Sequence, residues 1–208
     1  MKAKSVFICN QCGNETPRWQ GQCPACGAWN SIVEFEDKKP AANKASSGTK
    51  LAASKPKKLR ELDASDRQIR FSTGLGELDR VLGGGGVKGS LVLVGGAPGI
   101  GKSTLLLQMC GSMENDRKVL YVTGEESERQ LKLRATRLGV NGGEVYVLAE
   151  TDLDSIISAA DELDPDVIII DSIQTMSDAN AASAPGSITQ VRECTMRIMR
   201  VTKEKGYT

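Results

Sequence analysis

The chain has 208 residues and a formal net charge of +1, enough for one good domain and a smaller module, with no charge excess to select a partner. No stretch approaches the ~20 apolar residues of a membrane span, and residues 1–13 lack the apolar core of an export signal. The expectation is a cytoplasmic, reducing compartment, in which paired cysteines favour metal over disulfide.

Residues 1–35 are expected to form a small metal module. Cys9-Asn10-Gln11-Cys12 and Cys23-Pro24-Ala25-Cys26 are two C-x-x-C knuckles with ten residues between them. Four thiolates close a tetrahedral shell around Zn²⁺ and leave no position for water, so the ion is structural rather than catalytic. Gly13 and Gly27 give each knuckle the backbone freedom to turn. So short a segment buries little core, and the metal supplies much of its folding energy. The rivals are an iron–sulfur centre and a redox dithiol. A thioredoxin-type dithiol is a single C-x-x-C beside a βαβ unit, which is absent here. Arg18, Trp19 and Trp29 lie on the same module. Such aromatics can stack on nucleobases, but tiny domains need staples, and both tryptophans are expected to cover the knuckles.

Residues 36–60 change character. Lys38, Lys39, Lys44, Lys50, Lys55, Lys57, Lys58 and Arg60 occur with no acidic residue between Asp37 and Glu61. Such a stretch cannot bury enough apolar area to order itself, so it reads as a flexible basic tether. It can hold nucleic acid weakly and without sequence preference, although a merely solvated tether is the simpler reading.

Residues 61–208 form the main domain. Leu75, Leu78, Val81 and Leu82 have helical spacing, closed by the glycines from Gly83. Leu91-Val92-Leu93-Val94 predicts a buried strand and Thr104–Met109 a helix. Between them stands Gly96-Ala97-Pro98-Gly99-Ile100-Gly101-Lys102-Ser103, a full G-x-x-x-x-G-K-S phosphate-binding loop. Its N–H groups and the helix N-terminus, including Thr104, face phosphate. Lys102 reaches the β- and γ-phosphates, and Ser103 offers its hydroxyl to Mg²⁺. The competing reading is a glycine-rich turn that happens to precede a lysine.

Further strands are predicted at Lys118–Thr123, Glu144–Leu148 and Asp166–Asp171. Helices are predicted from Ser127 to Leu138, with Ser127 and Gln130 spaced as a capping box, and around Ile156, Ile157, Ala160 and Leu163, stopped by Pro165. A last helix starts at Ser187 and Gln190 and runs to about Lys205. Cys110 and Cys194 fall on predicted helices and read as core thiols. Alternating strands and helices imply an α/β fold, a parallel sheet covered on both faces, with ligands at the C-terminal strand ends. Asp171 ends one strand and suits a Mg²⁺ partner. Glu125 and Glu126 end another. One of them can serve as the base for the attacking water, with Glu125 preferred, while the other favours the following helix N-terminus.

The four-cysteine finger, the lead-in from Ser72 to Gly85 and the run from Gly95 to Leu105 together resemble the bacterial RadA (Sms) family of DNA repair proteins, over the whole chain except the tether. The resemblance implies a RecA-like ATPase core using ATP/ADP and Mg²⁺, assembled as a homohexameric ring. It implies binding of single-stranded or branched DNA, branch migration in recombinational repair, and a recombinase partner of the RecA type. By residue match, Lys102 and Ser103 take the phosphate and Mg²⁺ positions, Asp171 the Walker B position and Glu125 the catalytic glutamate. Family members continue into another core strand, a Lys-Asn-Arg-Phe-Gly motif and a further domain, so the chain is expected to be a fragment with an incomplete sheet that turns over ATP poorly. The Ala-, Ser- and Asn-rich stretch from Thr175 to Gly186 corresponds to channel-facing loops; without Lys or Arg, it is expected to touch DNA through backbone or to be disordered. Two other functions stay open: an ATP-gated DNA-binding scaffold with little motor activity, and a kinase resembling the KaiC clock proteins, which the four-cysteine finger disfavours.

Overall fold

The computed structural model describes residues 5–9, 11–36, 58, 70–113, 117–140, 143–179 and 186–208. It divides into two units, Met1–Asp66 and Arg67–Thr208. Of the basic tether, Lys38, Lys39, Lys44, Lys50, Lys55, Lys57 and Arg60 lie outside the described residues.

The first unit is a three-stranded antiparallel sheet in the order β2-β1-β3, with β1 at Ser5–Cys9, β2 at Glu15–Thr16 and β3 at Ile32–Glu36. Cys9 opposes Ile32 and Phe7 opposes Glu34 across β1 and β3. Among the described residues its apolar core is Cys9, Cys23 and Ile32, with Phe7 packed against them. So small a core cannot offset the ordering entropy of the segment without a cross-link. The tryptophans do not close it. Trp19 is 59% and Trp29 71% exposed, and both rings border the space above Gly21. Trp19 Nε1 instead donates to the Ile32 carbonyl at 3.2 Å, which holds the indole at the rim.

The second unit opens with a two-stranded ribbon, β4 (Arg70–Phe71) against β5 (Gly86–Val87), around helix α1 (Gly76–Val81). A three-stranded parallel sheet follows, in the order β7-β6-β8. Its strands are β6 (Val119–Thr123), β7 (Val145–Ala149) and β8 (Val167–Asp171). The helices are α2 (Lys102–Ser112), α3 (Glu128–Arg137), α4 (Leu153–Leu163) and α5 (Ile188–Lys205). Strand β6 is central and buried throughout. Its side chains alternate with the two-residue period of a strand. Val119 and Tyr121 enter a core with Leu107 and Cys110 of α2 and Leu131 and Ala135 of α3. Leu120 and Val122 enter a second core with Ile156 and Ala160 of α4 and Cys194 of α5. Cys110 and Cys194 are thus core thiols, and burial pushes the Cys110 thiol up to about 12.

Helix boundaries follow local chemistry. Ser127 accepts from the Gln130 amide while Gln130 accepts from the Ser127 amide, a complete capping box. Ser187 caps α5 through the Gln190 amide, and Asp152 caps α4 through the Ser155 amide. Asp164, in the left-handed region just before Pro165, ends α4.

One expectation is overturned. Leu91–Val94 forms no strand, and Leu93 is 83% exposed. A strand needs a ladder partner, and apolarity alone does not provide one. The free edge of β8 is engaged instead by Thr208, which donates to the Asp166 carbonyl at 3.1 Å and accepts from the Ile168 amide at 2.8 Å. That spacing is parallel pairing. In the stretch from Thr175 to Gly186, Ser177 pairs in parallel with Asp152 and Met176 is fully buried. Its residues 180–185 lie outside the described residues.

Candidate nucleotide and metal sites

The phosphate-binding loop runs from Gly96 into the first turn of α2. Gly101 is the helix N-cap with φ 102°, a left-handed conformation that a side chain would strain. Lys102 folds back over the loop, its Nζ donating to the Gly96 carbonyl at 2.9 Å and the Ala97 carbonyl at 3.0 Å. Pro98, Gly99 and Ile100 form the exposed outer turn, and Thr104 lies in the first turn of α2. The amides of this turn and of the helix start have no partner inside the helix, which makes it a ready anion site.

Next to the loop lies the C-terminal end of β8. Ser103 Oγ donates to Asp171 Oδ1 at 2.9 Å. Asp171 Oδ2 accepts from the Tyr121 hydroxyl at 2.7 Å. Burial pushes the Tyr121 phenol well above its ordinary value, and the hydrogen bond to Asp171 adds to the shift. The phenol therefore stays protonated and donates. Arg134 Nη2 approaches Asp171 Oδ2 at 3.7 Å, and its Nη1 pairs with Glu126 Oε1 at 2.9 Å. Glu125 points elsewhere and accepts from the Ser172 hydroxyl at 2.7 Å. The two glutamates that the sequence left as alternatives thus have different surroundings. Glu126 is tied to a partly buried cation, and among the described residues Glu125 is held by a neutral hydroxyl.

Ser103 and Asp171 therefore meet at one end of the sheet, while Lys102 Nζ stays on the loop carbonyls and Glu125 lies two residues past the end of β6. Tyr121, Arg134 and Ser172 were not among the expected site residues. Arg134 left a legible signal. Leu131, Arg134, Ala135 and Leu138 are spaced i, i+3, i+4, i+7, so a cation lies on the apolar stripe of α3.

The four cysteine sulfurs of the first unit all lie within 4.8 Å of one another. Cys9 and Cys26 sulfurs are 3.7 Å apart, and those of Cys12 and Cys23 are 3.5 Å apart. Metal–sulfur bonds of about 2.3 Å in a tetrahedron require sulfur edges of about 3.8 Å, so the donor set fits a zinc-sized ion. Both knuckles repeat one hydrogen-bond pattern. The Gly13 amide donates to the Cys9 carbonyl and the Gly27 amide to the Cys23 carbonyl, and both glycines have φ 73°. Burial alone would raise the Cys9 thiol, but hydrogen bonds led by Ser31 bring it down to about 6.

The class this defines is a P-loop α/β domain of RecA-like fold preceded by a four-cysteine metal ribbon. The chain belongs to the AAA domain family, whose model matches residues 55–207. Residues 7–34 match a second model, described as a rubredoxin metal binding domain. The chain is 51% identical over 208 residues to DNA repair protein RadA of Bacillus subtilis, covering 99% of this chain and 45% of that protein. DNA repair protein RadA of Escherichia coli is 47% identical over 207 residues, with 98% and 45% covered. The chain thus spans a little under half the length of these curated relatives. The crystal structure of flagellar accessory protein FlaH from Methanocaldococcus jannaschii aligns at TM-score 0.46 and 22% identity, over 61% of this chain and 63% of that one. Among the described residues, no helix is long and apolar enough to cross a membrane.

Proposed function

We propose that the chain binds ATP with Mg²⁺ at Gly96–Thr104 and hydrolyses it as part of a DNA repair ATPase. The observation that carries this reading is the 2.9 Å hydrogen bond between Ser103 and Asp171. It brings a P-loop hydroxyl and a strand-end carboxylate, remote in sequence, to one point beside an anion site. Lys102 leaves the loop carbonyls for the β- and γ-phosphate oxygens. Ser103 and Asp171 would hold Mg²⁺, which when bound neutralises charge on those oxygens. Glu125 accepts a proton from the water that attacks the γ-phosphorus, and the Ser172 hydroxyl orients its carboxylate. Cys9, Cys12, Cys23 and Cys26 hold a structural Zn²⁺.

The domain division follows the same reading: a zinc module at 1–35, a basic tether at 36–60 and an ATPase domain at 61–208. The names of the relatives support a role in DNA repair, and we extend this to binding of single-stranded or branched DNA, branch migration, a homohexameric ring, a RecA-type recombinase partner and a cytoplasmic setting. Steady-state ATP hydrolysis with and without single-stranded DNA tests the reading, with Lys102→Ala as control. DNA-stimulated turnover that Lys102→Ala abolishes is expected. Turnover indifferent to DNA, with DNA affinity that changes between ADP and ATP, would replace the motor by a nucleotide-gated DNA scaffold.

A further inference from the structure

The expected machinery ends at Asp171, yet this carboxylate is gripped from behind by two side chains without an assigned role. Tyr121 and Arg134 both face Oδ2, leaving Oδ1 to Ser103. Arg134 comes from α3, not from the sheet. Its side chain is 18% exposed, and that of Asp171 is 16% exposed. A guanidinium this far from water is costly unless its charge is used. It is used twice, on Glu126, just before the Ser127 N-cap of α3, and on Asp171 at the end of β8. Among the described residues, Arg134 Nε and Glu126 Oε2 are buried without a hydrogen-bond partner. Packing alone would be served better by an apolar side chain on this stripe of α3.

We propose that Arg134, with Tyr121, is a positioning residue that fixes the Asp171 carboxylate with Oδ1 turned to the phosphate-binding loop, and that it ties this carboxylate to the Glu125–Glu126 segment. A planar fork can hold two carboxylates at once, which a lysine ammonium on a flexible stem does poorly. The inference rests on the reading of Asp171 as the Mg²⁺ partner. Loss of a group that orients a metal ligand from behind typically costs about 10–100-fold in metal affinity.

The test is binding of a fluorescent ATP analogue to the purified chain, titrated with Mg²⁺ and repeated in EDTA. For Arg134→Met, the Mg²⁺ concentration at half-saturation is expected to rise about tenfold or more, while affinity in EDTA stays within about twofold. Arg134→Lys should fall between Arg134→Met and the parent. Tyr121→Phe, which removes only the hydroxyl, should shift the Mg²⁺ requirement in the same direction. If Arg134→Met does not fold, Arg134→Lys and Tyr121→Phe decide. Unchanged Mg²⁺ requirements in the folded variants, or equal losses in Mg²⁺ and EDTA, overturn the proposal. Asp171→Asn separates the two layers. If it raises the Mg²⁺ requirement while the Arg134 and Tyr121 variants do not, the positioning role alone falls. If it too changes nothing, the magnesium reading of Asp171 falls with it.

Discussion

Glu126 and Arg134 form a 2.9 Å ion pair, while the neighbouring Glu125 contacts the Ser172 hydroxyl. The pair separates two adjacent carboxylates that composition alone cannot distinguish. Glu125→Gln is expected to lower ATP turnover by about 10²–10⁴-fold with nucleotide affinity retained, the usual range for a general base. Glu126→Gln should instead cost about 1–3 kcal/mol of stability, because a charged hydrogen-bond partner is lost. Single-turnover hydrolysis and urea unfolding of both variants check the assignment. The reverse pattern would make Glu126 the base.

Lys102→Ala removes the one cation that the phosphate-binding loop itself carries. Nucleotide affinity and turnover are expected to fall together, turnover by roughly 10²-fold or more, as for loss of a preorganised charge in a site that excludes water. Equilibrium dialysis with labelled ATP, alongside steady-state rates, separates the two effects.

The ribbon should carry one zinc ion per chain, released when a mercurial blocks the thiols and counted with a colorimetric chelator. Cys23→Ala removes a buried ligand and should lose both the ion and the β1–β3 pairing, seen as amide-exchange protection of 5–9 and 32–36. Thiolates must shed their protons to bind metal, so acidification should release the ion.

Asp79 predicts a distinct acid sensitivity. Its carboxylate accepts from Ser72 Oγ at 2.6 Å, Thr73 Oγ1 at 2.7 Å and the Thr73 amide at 2.8 Å. Burial alone would raise its pKa, but these bonds outweigh burial and hold it below the ordinary aspartate value. A depressed value in the folded state gives stability that is present above the unfolded pKa and lost as pH falls through the folded one. Asp79→Asn should cost about 1–3 kcal/mol at neutral pH and flatten the loss of stability as pH falls below the ordinary aspartate value of about 4. Urea unfolding across that range measures it, and identical acid slopes for parent and variant would contradict the prediction.

Much of the second unit was legible because its signals are local. Ser127 with Gln130 and Ser187 with Gln190 mark helix starts by reach of a side chain to an amide nearby. The β-formers of Val167–Ile170 and Val119–Val122 mark buried strands in the same way. The cysteine spacing brings four sulfurs together because each knuckle is a turn of fixed size. What escaped depends on partners distant in sequence. Leu91–Val94 has the composition of a strand but no ladder to join. Trp19 is held at the rim by a hydrogen bond to the Ile32 carbonyl, and Trp29 borders the space above Gly21, so neither answers the demand for core. Tyr121 is explained by an apolar strand until Asp171 is in view, whereas Arg134, a cation on the apolar stripe of α3, is legible as an anomaly whose partners, Glu126 and Asp171, only the fold supplies.

The contact of Lys102 with the carbonyls of Gly96 and Ala97 bears on the heat of nucleotide binding. Those oxygens are already satisfied by the ammonium, so arrival of a triphosphate is an exchange of one set of contacts for another. The enthalpy released should be smaller than the count of new phosphate contacts suggests. Replacing Lys102 with a neutral side chain would remove the outgoing contacts together with the incoming ones. Calorimetry on the parent and Lys102→Ala would then register a change in enthalpy smaller than the change in affinity.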